Sequence, residues 1–269
     1  MTMRGRQVVV TGDDLGKTAT NNAGILAAHQ DGILTTACLM VGGEAVDEAL
    51  DIARRHPSLA VGLHIAFSDV RPALPPEQVP LLVQSDGRFP PDDRAHKAAL
   101  LTPTGRRQVQ AEIAAQFRAY HASGLPWDHV NTHRHVHRHP VFAWLLFREA
   151  TRWKVPMTRV PHDPPVDPVR QLRFWGLRRL ATTHGMQTPD RSIGRDWTVP
   201  GLVNLLNALP DGTTELYFHP GDPLFPADLP VLTDPGVKAA VSHVRLNHGL
   251  LPWRRTVSYS QKRTSDTVF

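Results

Sequence analysis

The sequence predicts an α/β fold, built as an irregular (β/α) barrel with about seven βα units. Short β-rich runs alternate with helical patterns along most of the 269 residues, and this repetition is typical of a parallel sheet covered by helices. About seven units in one chain favour a closed or nearly closed barrel over an open doubly wound sheet. Because no repeat, linker or low-complexity tract divides the chain, we expect a single domain over residues 1–269.

The first part of the chain predicts three strands and an insertion. The runs QVVVT, ILTTACLMV and LAVGLHIAF are rich in β-branched and apolar residues and indicate strands. Helical patterns follow the first two strands, over residues 19–30 and about 44–55. Residues 68–103 then interrupt the alternation, because they are rich in Pro, Asp and Gly. A loop of that length inside a compact domain is often a lid or a wall of a binding site.

The alternation resumes after residue 103. Val109, Ile113 and Phe117 lie at four-residue spacing and predict a helix that stops before Gly124. The segments DHVNTH, VPMTRVP and TTELYFHPG predict strands. Four further helices are predicted for PVFAWLLFREATRW, PVRQLRFWGLRRLATTHG, PGLVNLLNALPDG and DPGVKAAVSHVRLNHG. The tail after residue 260 is expected to be mobile.

Composition excludes some classes of function. The net charge is +5 and the isoelectric point about 9.8, but the basic residues are scattered and no nucleic-acid motif is present, so we expect no nucleic-acid partner. The longest apolar run, residues 141–147, is far shorter than the roughly 20 residues that cross a bilayer. The single cysteine, Cys38, excludes an internal disulfide framework and fits a reducing compartment. We expect a cytoplasmic protein, and its charge permits peripheral contact with the anionic inner face of the membrane.

Polar residues follow four of the predicted strands. They are Asp13 and Asp14 after the first strand, and His64, His133 and His219 at the ends of later ones. Each alone is more often a turn or core residue than a functional one. Because barrel enzymes build their active sites at the C-terminal ends of the strands, these groups together predict one shared site. Two histidines and one carboxylate with open positions are a common hydrolytic metal set.

The segment HVNTHRHVHRHP places histidines at every second position from His133 onward. In an extended strand this spacing points the side chains to one side. His133 is then the candidate for the site itself, and His135 and His137 are candidates for supporting or rim positions. His139 precedes a proline at a helix start and is expected to be structural.

Two further residues have alternative roles. Arg159, at the end of a predicted strand, either pairs with Asp13 and keeps it ionised or is a surface arginine. Asn22 either supports the loop that carries the two aspartates or caps the following helix.

The motifs VVTGDDLG, VGLHIAF, DHVNTHRHVHRHP and ELYFHPG, in this order over almost the whole chain, resemble the YdjC-type carbohydrate deacetylases, which include the chitooligosaccharide deacetylases. Asn131 and Thr132, where other branches carry Asp and Ser, are most similar to the hopanoid-biosynthesis branch. That branch is linked to deacetylation of an N-acetylglucosaminyl hopanoid lipid. Since Asn131 is neutral, any role given to an acid at that position does not transfer.

The resemblance implies a polysaccharide-deacetylase-like barrel and a metal-dependent hydrolase that cleaves a linear amide C–N bond. Carried over residue by residue, it makes Asp14, His64 and His133 the ligands of one divalent ion, Mg²⁺ or Zn²⁺. Asp13 would be the general base and His219 the general acid. The whole of residues 1–269 would then be one catalytic domain.

Several alternatives stay open at this point. The substrate could be an amino sugar linked to a lipid or a soluble chitooligosaccharide. A metal-dependent phosphoesterase would use similar residue types on a similar barrel. A histidine-rich metal-binding protein without enzymatic activity is the third alternative, although its histidines would more naturally lie in one flexible tract. The oligomeric state is open, with a homodimer as one candidate.

Overall fold

The computed structural model describes residues 5–163 and 167–249, and within them the chain forms a seven-stranded parallel sheet. The strands are β1 (Arg6–Leu15), β2 (Thr36–Leu39), β3 (Ala60–Ile65), β4 (Val130–Thr132), β5 (Arg191–Ile193), β6 (Gly212–Phe218) and β7 (Arg245–Leu246). Their order is β4-β3-β2-β1-β6-β5, and β7 pairs with the start of β1. The longest strand, β1, therefore lies in the middle of the sheet.

Helices connect these strands, as the sequence pattern predicts. In the described ranges they are α1 (Ala19–Gln30), α2 (Val46–Arg55), α3 (Arg94–Ala99), α4 (Pro103–Ala122), α5 (Pro140–Arg152), α6 (Pro168–Thr183), α7 (Val199–Ala208), α8 (Asp228–Thr233) and α9 (Pro235–Val241). Two short 3₁₀ helices, Pro76–Gln78 and His133–Arg138, complete the regular structure. No helix among the described residues is long and apolar enough to span a bilayer.

The sheet forms a half-barrel, which confirms the predicted α/β class. Among residues 5–163 and 167–249, single bridges through the segment that follows α5 connect its two ends, β4 and β5. These bridges join Val130 to Thr158, Met157 to Gln187 and His162 to Ser192. The predicted strand VPMTRVP is thus reduced to isolated bridges, since Pro156 and Pro161 lack the N–H groups that a continuous ladder requires.

Apolar residues of the central strand and of the insertion share one core. Val8, Val9 and Val10 of β1 are fully buried, as expected for a parallel strand covered on both faces. Val70 and Phe89, at the two ends of the apolar part of the insertion, pack into the main core. The insertion is therefore folded onto the barrel. The tail after residue 260 lies outside the described residues.

Gly62 of β3 offers a test of this packing. A Cβ atom at this position would lie 2.4 Å from the ring of the buried His129. We expect Gly62→Ala to lower the free energy of unfolding by about 1–3 kcal/mol through overpacking, measured by urea denaturation. Gly176→Ala in α6 is the matched control, because nothing lies within 4 Å of its Cβ position. The control should stabilise the protein by about 0.5–1 kcal/mol. Equal effects of the two substitutions would contradict the packing described here.

Candidate active site

Two consecutive aspartates at the end of β1 face different partners. Asp13 is in extended backbone, whereas Asp14 has a positive φ of 68°. The pairing of β1 with β2 shifts register between Gly12 and Leu15. Aspartate tolerates the left-handed conformation better than most residues, because its short side chain bonds locally. The turn separates the two carboxylates, so that each enters its own set of contacts.

Asp14 lies between two histidines from other strands. Its Oδ1 is 3.2 Å from His64 Nε2 and 3.0 Å from His133 Nδ1. One ligand atom from each of the three residues lies within 4.8 Å of the other two, and all three residues are buried. Burial would raise the pKa of Asp14, but His133 and His64 outweigh it and hold that pKa well below its usual range. The three residues that the resemblance names as metal ligands thus converge.

The tautomer of His64 leaves a free nitrogen in this cluster. His64 Nδ1 lies 2.6 Å from Asn131 Oδ1, and the amide oxygen only accepts, so Nδ1 carries the hydrogen. In the neutral imidazole Nε2 then has a lone pair, and despite its closeness to Asp14 it is buried without a hydrogen bond. A buried nitrogen lone pair facing a carboxylate is the arrangement that a metal ion satisfies. Asn131 therefore orients a histidine without needing the charge that an acid would bring.

A carboxylate from the insertion orients the second histidine. His133 Nε2 is 3.0 Å from Asp69 Oδ2, and Asp69 is also paired with Arg134. Burial alone would lower the pKa of His133, but Asp14 and Asp69 raise it to about 9. Sequence reasoning missed Asp69. Its only sequence signal was an acidic residue at the start of an insertion that was expected to wall a site.

Asp13 belongs to a buried ion-pair network. Arg159 donates through both terminal nitrogens to the Asp13 carboxylate, at 2.5 and 2.9 Å, and also donates to Glu215 at 2.8 and 3.0 Å. All three side chains are buried, so Arg159 is not a surface residue. Burial would raise the pKa of Asp13, but the charge and hydrogen bonds of Arg159 hold it well below its usual range. Glu215 was missed, although a lone acid in the apolar run ELYF signals a buried partner.

His219 approaches the same carboxylate from β6. Its Nε2 is 3.9 Å from Asp13 Oδ2, and its ring stacks on Phe225 with centroids 4.3 Å apart. Its backbone N–H donates to Asp228 at 2.6 Å, which fixes the turn after β6. Burial lowers the pKa of His219 below that of a free imidazole, with Asp13 partly opposing the shift. The ring is therefore a neutral group that can accept and return a proton.

Lys17 is a site residue that the sequence analysis did not name. Its ammonium group lies 3.1 Å from Asp14 Oδ2 and 2.9 Å from Asp222 Oδ2. Burial lowers the pKa of Lys17, but the two carboxylates more than compensate and raise it. Lys17 thus engages the Asp14 oxygen that the histidines leave open. The spacing DDxxK in the sequence was the available signal.

The histidine run does not continue strand β4. The range His133–Arg138 is a 3₁₀ helix in which Arg134 and His135 have positive φ. The prediction that His133, His135 and His137 share one side of an extended strand is therefore wrong. The chain turns sharply after β4, and this turn brings only the first of these histidines to Asp14.

The other two histidines of the run have separate surroundings. His135 lines the cavity in front of Asp13, with its Nε2 3.1 Å from the hydroxyl of Tyr217. His137 is fully buried and bonds through Nδ1 to the hydroxyl of Thr132. Burial lowers the pKa of His137 to about 3, so it is a neutral structural group.

Asn22 supports the loop that carries the aspartates. Its Oδ1 accepts from the N–H of Gly16 at 2.7 Å, and its Nδ2 donates to the carbonyl of Ala45 and to Glu48. The helix cap is instead Thr18. Of the two roles considered for Asn22, the structure therefore favours support of the loop.

A buried chain of polar groups lies behind Asp13. Cys38 Sγ is 3.3 Å from Asp13 Oδ1 and 3.1 Å from His129 Nε2, and His129 Nδ1 is 2.8 Å from Asp128. Burial, followed by the charge of Asp13, raises the pKa of the Cys38 thiol well above its usual value. Cys38 is therefore a neutral hydrogen-bonding thiol, not only the small apolar residue that the sequence suggested.

These groups surround one cavity of about 420 Å³. Its lining contains six aspartates, four histidines and three cationic side chains. The cationic ones are Lys17, Arg134 and Arg195, and Tyr217, Leu224 and Phe225 supply apolar surface. A cavity of this size accommodates a single sugar ring or a ligand of similar size.

Comparisons with known proteins place this site in context. A family model described as YdjC-like protein matches residues 7–243. A carbohydrate deacetylase from Geobacillus stearothermophilus is 31% identical over 250 residues, which cover 88% of this chain and 93% of the relative. A carbohydrate deacetylase from Vibrio vulnificus is 35% identical over 199 residues, which cover 74% of this chain and 73% of the relative.

A solved structure shares the fold. A crystal structure of an Enterococcus faecalis protein superimposes with a TM-score of 0.76 at 22% identity. The match covers 90% of this chain and 97% of the other. At this identity the likeness concerns the fold alone.

Replacing Arg159 tests the buried ion-pair network. Arg159→Met leaves Asp13 and Glu215 buried without their cation, and we expect a loss of about 3–5 kcal/mol in the free energy of unfolding near pH 8. The folded pKa of Asp13 lies below its unfolded value of 3.8. Its contribution is therefore present above that value and is lost as the pH falls. In the variant, burial without the cation raises the pKa of the Asp13 carboxyl, so the loss should be smaller at pH 5.

Urea denaturation of both proteins at pH 5 and pH 8 measures this difference. The matched control is Arg54→Met, because Arg54 pairs with Asp51 at the surface and should change stability by less than about 1 kcal/mol. A loss in Arg159→Met as small as in the control, or one independent of pH, would contradict the network.

Proposed function

The chain belongs to the YdjC-like protein family, and from this membership we propose that it is a metal-dependent hydrolase that removes the acetyl group from an acetylated amino sugar. The observation that carries the proposal is the convergence of Asp14, His64 and His133 beside the Arg159-bound Asp13, in one cavity. The relatives named carbohydrate deacetylases support the substrate class.

The residues present suit a divalent ion. The unbonded His64 Nε2, the adjacent His133 Nδ1 and Asp14 Oδ1 are one carboxylate and two imidazoles, with space on the cavity side. The acidic lining of the cavity favours a cation further. Two imidazole ligands favour Zn²⁺ on ligand softness, and Mg²⁺ is the alternative. When bound, such an ion supplies Lewis acidity that polarises the amide carbonyl and acidifies water.

Asp13 is placed to take a proton from the attacking water. Arg159 keeps its carboxylate ionised and fixes its orientation, because both oxygens are engaged. The same pairing makes Asp13 a weak base, so a proton that reaches it is more stable on a neighbouring imidazole. His219, at 3.9 Å, is the neighbour that can receive this proton.

His219 then completes the proton transfer. Its neutral ring can accept the proton and deliver it to the departing amine, which leaves as the C–N bond breaks. The stacked Phe225 and the hydrogen bond from its backbone to Asp228 hold the imidazole in place. Asp13 acts as general base and His219 as general acid, with the proton shared between them.

We assign the substrate more finely as an N-acetylglucosaminyl hopanoid lipid, handled at the inner face of the cytoplasmic membrane. This assignment rests on the HVNTHRHVHRHP motif and its likeness to the hopanoid-biosynthesis branch. A soluble chitooligosaccharide is the second candidate. The phosphoesterase alternative is disfavoured, because the relatives are named carbohydrate deacetylases. The binding-protein alternative is disfavoured since the cluster is buried and drawn from separate strands.

Release of acetate tests the reaction class. We expect the purified protein to release acetate from N-acetylglucosaminyl glycolipid, and incubation with a chelator to abolish this activity, because the ion held by Asp14, His64 and His133 would supply the Lewis acidity for the reaction. Zn²⁺ and Mg²⁺ added separately should restore the activity to different extents. Aryl phosphates serve as the parallel substrate. Phosphate release without acetate release would replace the proposal by a phosphoesterase.

Metal analysis separates the ligands from the proton-transfer residue. His64→Ala and His133→Ala should lose the ion, because each removes one of three protein ligands. His219→Ala should keep the ion but lose roughly 10²–10⁴-fold in turnover, the usual range for a general acid. His56→Ala, outside the cavity, is the control for histidine removal. An unchanged metal content in His64→Ala, or full turnover in His219→Ala, would remove that residue from its role.

A further inference from the structure

Helix α6 presents an apolar face to solvent. Val169, Leu172 and Trp175 are 59%, 73% and 53% exposed and follow one another at three-residue spacing. This spacing places them on one side of the helix. The opposite side packs on the barrel through Phe174 and Leu177, which are buried. The apolar face is therefore additional to the core contacts of α6, whereas a surface helix ordinarily directs polar residues outward.

The charges on α6 are all positive. The helix contains four arginines and no acidic residue. Arg170 pairs with Asp167 and Arg178 pairs with Asp190. The remaining two, Arg173 and Arg179, make no ion pair within residues 5–163 and 167–249. An apolar face of Leu, Val and Trp flanked by unpaired arginines is the pattern of helices that lie in the headgroup region of anionic membranes.

The same helix borders the approach to the active site. A second cavity of about 330 Å³ is lined by Arg170, Arg173, Phe174 and Leu177 of α6. It shares His135, Gly194 and Tyr217 with the catalytic cavity. Its lining includes three arginines and one aspartate, so it is basic where the catalytic cavity is acidic. Helix α6 thus lies between its apolar face and the second cavity, which adjoins the catalytic one.

We propose that the outward face of α6 docks on a bilayer with anionic headgroups. A folded protein partner is less suitable, because a specific interface uses roughly 20–30 residues on each side and this face offers three apolar side chains of one helix. Shallow insertion into a headgroup layer needs no more than such a face. The docking surface is inferred from the exposed residues of α6 alone, whereas the lipid-linked amino sugar as substrate rests on the proposed function.

Co-sedimentation with vesicles tests the docking without any catalytic readout. The full-length protein should bind vesicles of phosphatidylcholine with about 30% phosphatidylglycerol, and bind pure phosphatidylcholine vesicles at least fivefold more weakly. The double substitution Leu172→Ser/Trp175→Ser should weaken binding to the anionic vesicles at least tenfold, because two apolar side chains no longer enter the headgroup layer. Arg179→Glu should weaken it at least fivefold.

Matched controls distinguish this face from general surface effects. Leu101→Ser removes a comparably exposed leucine outside α6, and Arg54→Glu reverses an exposed charge on α2. Both should bind as the unsubstituted protein does. The proposal is overturned if Leu172→Ser/Trp175→Ser binds undiminished, if Leu101→Ser loses as much binding, or if the unsubstituted protein binds neither vesicle.

Two further measurements separate other outcomes. Sedimentation velocity tests whether the protein self-associates through α6 instead. The proposal is overturned if the unsubstituted protein is oligomeric and binds no vesicles while Leu172→Ser/Trp175→Ser is monomeric. Acetate release from soluble N-acetylglucosamine oligomers should be unchanged in this double variant, since neither residue lines the catalytic cavity or the second cavity. Release from the lipid-linked substrate in anionic vesicles should fall at least fivefold. Vesicle binding that depends on α6, without acetate release from any amino sugar, supports the docking surface and refutes the proposed function.

Discussion

The buried guanidinium of Arg159 is the interaction on which the rest of the site depends. A charge that is fully removed from water costs several kcal/mol, and only close opposite charges with good hydrogen bonds offset this cost. Asp13 from β1 and Glu215 from β6 supply them, and the ring of Tyr217 lies 4.3 Å from the guanidinium carbon. Arg159 itself lies in the segment that joins β4 to β5 by single bridges. The ion pairs therefore connect the segment of the barrel wall that is held by single bridges to the central strands β1 and β6.

This network also separates the roles of two adjacent aspartates. Asp13 cannot turn toward the histidines, because both of its oxygens are held by Arg159. Asp14, displaced by its positive φ, is free to face His64 and His133. Both carboxylates have depressed pKa values, but an arginine depresses one and imidazoles the other.

The sequence predicted the parts of this arrangement that are local. Strand ends followed by Asp or His indicated one edge of a parallel sheet, and that edge is where Asp14, His64 and His133 meet. The conformation of the histidine run was not predictable from spacing. A period of two indicates a strand only while the chain remains extended, and residues 134 and 135 adopt left-handed backbone at a cost of roughly 1–3 kcal/mol each.

Contacts between residues that are far apart in the chain could not be predicted from the sequence either. Arg159 and Asp13 are 146 positions apart, and Lys17 and Asp222 are 205 apart. No periodicity connects such residues, because their proximity depends on how the strands are ordered in the sheet. A buried acid such as Glu215 indicates only that some partner is needed, without identifying it. The partner becomes identifiable once the strand order β1-β6-β5 is known.

The two adjoining cavities differ in charge, and this difference has a consequence for substrate orientation. The catalytic cavity carries six aspartates and three cationic side chains besides its histidines. The second cavity, with Arg138, Arg170 and Arg173 against Asp163, attracts anionic groups. A glycolipid in an anionic membrane has a similar separation of neutral and charged regions, since its neutral sugar projects away from the charged headgroups. For the glycolipid substrate that we propose, this difference in charge favours entry with the acetylated sugar first, toward Asp14 and Asp13, and with the carrier left at the arginine-lined side.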